Sequence, residues 1–216
     1  MPELVIFDFD GTMFDTADDI VITTNRLLQE LGKDPLPKSI IVQEIGEGLK
    51  VLIQDLFPEV ECSDQKKRLF YNRFLELYED VFLNQPQIYP GLREFLNSYK
   101  GKVAIASNKT QRYIPPVLEK FHLLHYDWVD IIGGDSFDVA KPHAKPLLHI
   151  MEKAGVDRSK TVMIGDGLPD VGAANAAGVK CIAVDFGYAR SDKLMQAGAS
   201  HLIKHYDELL PLLSTI

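Results

Sequence analysis

Cysteine is scarce in this chain of 216 residues: Cys62 and Cys181 are the only two, far apart and at no metal or redox spacing. No disulfide framework can underlie the fold, and both cysteines read as free thiols of a reducing compartment. Long apolar runs are missing too, and none approaches the length that crosses a bilayer. The first apolar run, Leu4 to Phe7, is short and ends in acid, which is not the pattern of a signal peptide. Positive charge is in deficit, with 23 Lys and Arg against 31 Asp and Glu and a net charge of −8. That balance argues against nucleic acid or an anionic membrane as the main partner. None of the six histidines has ligand spacing; His143 reads as a loop residue and the others as structural or surface. There are no internal repeats and no low-complexity tract. What is left is ordinary for a globular protein, 46% hydrophobic and 25% charged residues, enough for one sizeable core or a core with a small insert.

The chain is organised around Leu4-Val5-Ile6-Phe7-Asp8-Phe9-Asp10-Gly11-Thr12. Its continuous apolar start suits a central parallel strand buried on both faces. Residues two apart on a strand point the same way, so Asp8 and Asp10 project together from its C-terminal end. Gly11 then lets the chain turn. Two like charges there repel, and a divalent cation with oxygen ligands is the natural compensation.

Downstream the pattern becomes helical. Ile20, Thr24, Leu27, Leu28 and Leu31 recur at helical spacing after Asp15 or Thr16, either of which can cap, and Gly32 ends the run. Short helices follow at 39–44 and 49–56, with Gly46-Glu47-Gly48 between them, and Ser63 opens a longer one carrying Phe70, Phe74, Leu77, Tyr78 and Val81. Residues 17 to 83 thus read as all-helical, with the aromatic stripe as core packing. From about residue 84 strands alternate with helices: helices at 91–99, 111–121, 145–154, 169–177 and 207–213, strands at 103–106, 129–132, 162–164, 179–184 and 201–203. Alternation of this kind implies a parallel sheet with right-handed crossovers, interrupted by the helical block.

Three more polar clusters follow strands or precede helices: Ser107-Asn108-Lys109, Lys141-Pro142, and Gly165-Asp166-Gly167-Leu168-Pro169-Asp170. Sheet topology gathers such loops along one edge. Carboxylates, a hydroxyl and a lysine together suit phosphoryl transfer through an enzyme aspartate. One carboxylate attacks phosphorus, a second acid handles the leaving-group proton, and metal plus lysine neutralise the phosphoryl oxygens.

In this order and spacing the four clusters resemble the haloacid dehalogenase superfamily of aspartate-nucleophile phosphatases, over essentially the whole chain. Within it the likeness is to phosphoglycolate phosphatases and their relatives, through Ser107-Asn108-Lys109, Lys141-Pro142-His143, Phe186-Gly187-Tyr188, Ala197-Gly198-Ala199 and the insert with Gly46 and Gly48. The resemblance implies an α/β fold, a Rossmann-like core of residues 1–16 and 84–216 with an all-helical cap of residues 17–83 inserted. It implies Asp8 as nucleophile and Asp10 as general acid/base, whose backbone carbonyl also meets Mg²⁺. Asp166 is implied as a metal carboxylate, with Asp170 supporting it through a metal water or Lys141. Ser107, Asn108 and Lys141 resemble phosphate-binding groups, joined by backbone N–H groups near Gly11, Thr12 and Asn108. Lys109 reaches either phosphate or solvent, and the sequence does not choose between them.

The chain departs from the pattern at Gly167, where serine is common, and at Ala144, where proline is usual. The cap has no familiar arginine signature. The expectation is a cytoplasmic Mg²⁺-dependent hydrolase of a small phosphorylated metabolite, monomeric or homodimeric, binding neither nucleic acid nor membrane. A phosphomutase on the same scaffold, passing the phosphoryl group to a sugar hydroxyl, is the first alternative. A non-catalytic binding protein is the second, set against by the presence of Asp8, Asp10, Lys141 and Asp166. Substrate choice is expected to lie in the cap, with Lys50, at the start of the helix after Gly46 and Gly48, as the candidate contact for a substrate carboxylate.

Overall fold

The computed structural model describes residues 1–57 and 63–216; Cys62 lies outside the described residues. Strand β1 (Leu4–Phe7) is buried at every position. After β2 (Phe14–Asp15) come α1 (Ala17–Glu30), α2 (Lys38–Gln43), α3 (Leu49–Leu56) and α4 (Asp64–Glu79), and then β3 (Gln87–Ile88). Alternation follows: α5 (Leu92–Ser98), β4 (Lys102–Ala106), α6 (Ile114–Lys120), β5 (Trp128–Ile132), α7 (Lys145–Ala154), β6 (Thr161–Gly165), α8 (Leu168–Ala177), β7 (Lys180–Val184), α9 (Ser191–Gln196), β8 (His201–Ile203) and α10 (Leu209–Leu213).

Six strands form a parallel sheet in the order β5-β4-β1-β6-β7-β8. β1 is central: Phe7 is paired with Ile105 on one side and Ile164 on the other. Its side chains alternate, with Val5 and Phe7 in the core layer that includes Phe95, Ile114 and Leu209, and Leu4 and Ile6 in the layer that includes Leu147 and Val171. A strand sandwiched this way has no polar face, which is why its sequence reads as an unbroken apolar run. The chain leaves β1 toward β4 and β5, then crosses to β6 on the other side. The loops of β1, β4 and β6 therefore open into one crevice at the carboxyl ends of the strands.

The helices end where local chemistry ends them. Ser63 accepts a hydrogen bond from the Lys66 N–H (3.2 Å) and caps α4. Gly155 and Gly178 close α7 and α8 in the left-handed conformation. α1 buries Ala17, Ile20, Leu27 and Leu28 along one stripe and packs on α4. Arg73 of α4 reaches Glu30 of α1 at 2.6 Å, but both are largely exposed, so this pair contributes little. Among the described residues no helix is long and apolar enough to cross a membrane.

Three features differ from the sequence reading. β2 and β3 pair antiparallel where the chain leaves the sheet region and where it returns; two residues apiece give no periodicity to read. α9 is six residues with Leu194 alone buried. The helices expected to start at 111 and 207 begin as tight turns, Gln111–Tyr113 and Tyr206–Glu208.

Candidate active site

The Asp8 N–H donates to the Ile164 carbonyl at 2.8 Å, continuing the β1–β6 ladder one residue past the strand. Asp8 is thereby fixed at the seam between β1 and β6. Asp166 follows β6 directly, and Asp170 sits in the first turn of α8, where its Oδ2 accepts from the Gly167 N–H at 2.9 Å. All three side chains are buried, and carboxylate oxygens of Asp8, Asp166 and Asp170 lie within 4.8 Å of one another. Lys141 reaches into this cluster, with Nζ 2.8 Å from Asp8 Oδ1 and 2.5 Å from Asp170 Oδ1.

Asp166 is held from both sides, accepting from the Thr12 hydroxyl at 2.9 Å and from the Tyr188 N–H at 2.8 Å. Gly11 makes room for it: a Cβ there would fall 2.2 Å from Asp166 Oδ2, and Gly11 also has φ +79°. Any side chain at residue 11 would push that carboxylate aside.

Burial, then the charge of Asp170, pushes the Asp8 carboxyl up from 3.8 to about 7, with Lys141 opposing. Asp166 is raised well above the usual carboxylate range by burial, then by Asp8 and Asp170. Burial alone would lower Lys141, but Asp170 and Asp8 outweigh it and keep the ammonium charged. With all three ionised, one ammonium would leave two negative charges uncompensated, and the upward shifts of Asp8 and Asp166 express that crowding. Asp8 Oδ1 also has no donor aligned on it, although Lys141 is near. Clustered hard oxygens with that charge fit a divalent cation. Asp8, Asp166 and Asp170 would hold it; the Asp10 carboxylate is not in this group.

A pH signature follows. A carboxyl whose folded pKa exceeds its unfolded value contributes stability that is present below 3.8 and lost as pH rises through about 7. The metal-free protein should therefore lose melting temperature across that window. A divalent cation binds the ionised form, so the shift it produces should be small below about pH 5 and grow above about pH 7. Calorimetric scans with and without Mg²⁺ measure this, and a shift absent at every pH would rule out metal binding by these carboxylates.

Asp10 faces another way. Its Oδ1 accepts from the Thr16 hydroxyl at 2.6 Å and from Lys109 Nζ at 3.0 Å. Thr16 thus puts its hydroxyl on Asp10 and not on the start of α1, whose Ala17 N–H donates to Asp15 Oδ1. Lys109 is buried, donates at 2.8 Å to the Tyr78 hydroxyl on α4, and lies over the Tyr78 ring. Asp10 and Tyr78 hold its ammonium above the ordinary lysine range against the opposing effect of burial. Lys109 is the residue that sequence reasoning left undecided. The available signal was its spacing from Ser107, since residues two apart after a strand share a side.

The remaining expected residues are placed as follows. Asp8, Asp10, Ser107, Asn108 and Lys109 line one cavity, whose far wall includes Glu44, Gly46, Leu49, Phe74 and Tyr78 from the helical segment. The Ser107 Oγ accepts from the Lys109 N–H at 3.3 Å. Asn108 donates its amide to the Gly46 and Lys141 carbonyls at 3.1 and 3.0 Å, so that amide is not directed at a phosphate. The Gly11 N–H donates to the Phe14 carbonyl at 2.8 Å, which corrects its expected place among the phosphate donors: glycine matters there for space. Thr12 likewise turns its hydroxyl to Asp166. Lys50 is not brought to the site. It is exposed and lines a separate cavity with Lys67, Arg68 and Tyr71, because α3 turns Leu52 and Ile53 inward and carries Lys50 on its outer side.

A phosphoglycolate phosphatase of Pseudomonas putida is 32% identical over 219 residues, spanning 98% of this chain and 79% of its own. One from Agrobacterium fabrum is 35% identical over 190 residues, spanning 86% of this chain and 81% of its own. A solved structure, a haloacid dehalogenase-like family hydrolase of Streptococcus pneumoniae, has the same fold, with a TM-score of 0.85, 19% identity and 98% of each chain covered. Residues 5–184 match the family described as haloacid dehalogenase-like hydrolase, and the chain belongs to that family.

Proposed function

We propose that this chain is a Mg²⁺-dependent phosphatase of small phosphate monoesters that works through a phosphoaspartyl intermediate on Asp8. The observation that carries the reading is the cluster of Asp8, Asp166 and Asp170 around Lys141, with Asp10 turned away from it. Within the cluster, Asp8 is the carboxylate with an oxygen lacking an aligned donor, and a nucleophile needs such a lone pair. In the first step an Asp8 oxygen bonds to phosphorus, the ester P–O bond breaks, and Asp10 gives its proton to the leaving oxygen. In the second, Asp10 takes a proton from water, the water oxygen bonds to phosphorus, and the Asp8–phosphorus bond breaks to release phosphate. Lys141 offsets charge on the phosphoryl oxygens throughout. Bound Mg²⁺ would supply further neutralisation of those oxygens and keep Asp8 ionised.

Residues 17–83 act in this reading as a cap over a core of residues 1–16 and 84–216, since the cavity has walls from both. The relatives named phosphoglycolate phosphatases favour a short phosphorylated acid as substrate. Phosphate release from a panel of small esters with Mg²⁺ tests the activity. Asp10→Asn tests the proton transfer through kcat/KM, which reports the step that forms the aspartyl-phosphate: on an alkyl phosphate it should fall by roughly 10²–10⁴-fold. p-Nitrophenyl phosphate, whose leaving group needs no proton, should lose far less. Equal losses on both would remove Asp10 from the acid role.

A further inference from the structure

We infer that Lys109, with the Tyr78 hydroxyl, recognises the carboxylate of the substrate, an assignment that rests on the phosphatase reading and deepens it. A carboxylate buried beside the reacting phosphoryl group needs a positive partner. Among the described residues lining the cavity, Lys109 is the single cation. Residues 58–62 are Pro-Glu-Val-Glu-Cys and add none. Lys50 opens on a different cavity. The wall opposite the core is apolar at Leu49, Leu52 and Phe74 and acidic at Glu44, so it would repel an anion.

The hydrogen-bond inventory agrees. The Tyr78 hydroxyl accepts from Lys109 Nζ at 2.8 Å, which leaves its own proton to donate. Lys109 Nζ gives one N–H to Tyr78 and shares another between the two Asp10 oxygens at 3.0 and 3.3 Å, so its third N–H and the Tyr78 proton form a pair of donors for one carboxylate. Placement along the substrate agrees as well. Asp10 serves the ester oxygen, and Lys109 Nζ lies 3.0 Å from Asp10. In 2-phosphoglycolate a single methylene separates the ester oxygen from the carboxylate, which therefore falls beside whatever adjoins Asp10. Lys141, enclosed by Asp8 and Asp170, is left to the phosphoryl end.

The test compares kcat/KM for 2-phosphoglycolate with that for ethyl phosphate, which has a methyl group in place of the carboxylate. Both have leaving groups that need a proton, so the ratio cancels whatever Lys109 does through Asp10. The wild type should prefer 2-phosphoglycolate. In Lys109→Met that preference should fall by roughly 10- to 100-fold, the range of hydrogen bonds to charged groups. Tyr78→Phe keeps the ring against Tyr113 and should lower the preference by about 3- to 10-fold. Losses that are equal on the two substrates in both variants overturn the assignment and make Lys109 a positioning residue for Asp10. A wild type that hydrolyses other esters without preferring 2-phosphoglycolate also overturns it, while the phosphatase reading stands. A wild type that releases phosphate from no ester overturns both.

Discussion

Asp8→Asn should lose activity by roughly 10⁴-fold or more, the scale on which removal of a covalent nucleophile acts. The amide keeps the volume of the carboxylate but has no lone pair able to attack phosphorus. Loss of activity alone would not separate this from unfolding, and the electrostatics of the site supply the control. Ionised Asp8 is disfavoured in the fold by burial and by Asp170, so replacing it with a neutral group removes a destabilising charge. Lys141 keeps Asp170 as a partner. At neutral pH without metal, the variant should therefore melt no lower than the wild type, while its Mg²⁺-induced shift should shrink because one of three carboxylates is gone. Acid-quenched wild type incubated with substrate should carry a phosphoryl mass increment on the peptide containing Asp8, and the variant should carry none. A purified Asp8→Asn protein with substantial turnover would place the nucleophile elsewhere.

Most of this architecture is legible in the sequence because it is periodic. The unbroken apolar run of β1 announces a strand with layers on both faces, and the acids that follow it mark the carboxyl edge. The bounds of α3 and α7 coincide with the 49–56 and 145–154 read from the sequence. What could not be read is set by contacts between distant residues. Lys109 has its partners 99 and 31 positions away in Asp10 and Tyr78, and no local pattern reports that. Thr12 and Thr16 look like helix-start or phosphate-loop hydroxyls, but each is drawn to a buried carboxylate, whose unmet demand for donors is stronger than that of an exposed helix end. Lys50 shows the converse error. Nearness in sequence to the Gly46–Gly48 turn suggested nearness to the ligand, but the helical rotation that buries Leu52 and Ile53 carries it outward.

Lys141→Met should produce the largest loss of stability. The Lys141 side chain is 2% exposed and ion-paired with both Asp8 and Asp170. Methionine fills much of the same volume, so the change is mainly electrical: Asp8, Asp166 and Asp170 are left in one buried cluster with no ammonium among them. Removing one partner of a buried ion pair costs about 3–5 kcal/mol. For a domain of this size the melting temperature should fall by roughly 2–4 °C for each kcal/mol. Protonation of the acids relieves part of the repulsion, so the deficit should be smaller at low pH and widen toward neutrality. A divalent cation restores positive charge at the same place, so saturating Mg²⁺ should raise the variant's melting temperature by more than it raises that of the wild type. Turnover should stay low even then, because the metal does not replace the ammonium on the phosphoryl oxygens. Lys141→Arg tests whether charge alone suffices: its planar, wider head cannot sit between Asp8 and Asp170 as a compact ammonium does, so it should recover stability better than activity. A Lys141→Met protein as stable as the wild type in metal-free buffer at neutral pH would show that the pairing of Lys141 with Asp8 and Asp170 contributes no net stability, and would overturn this prediction.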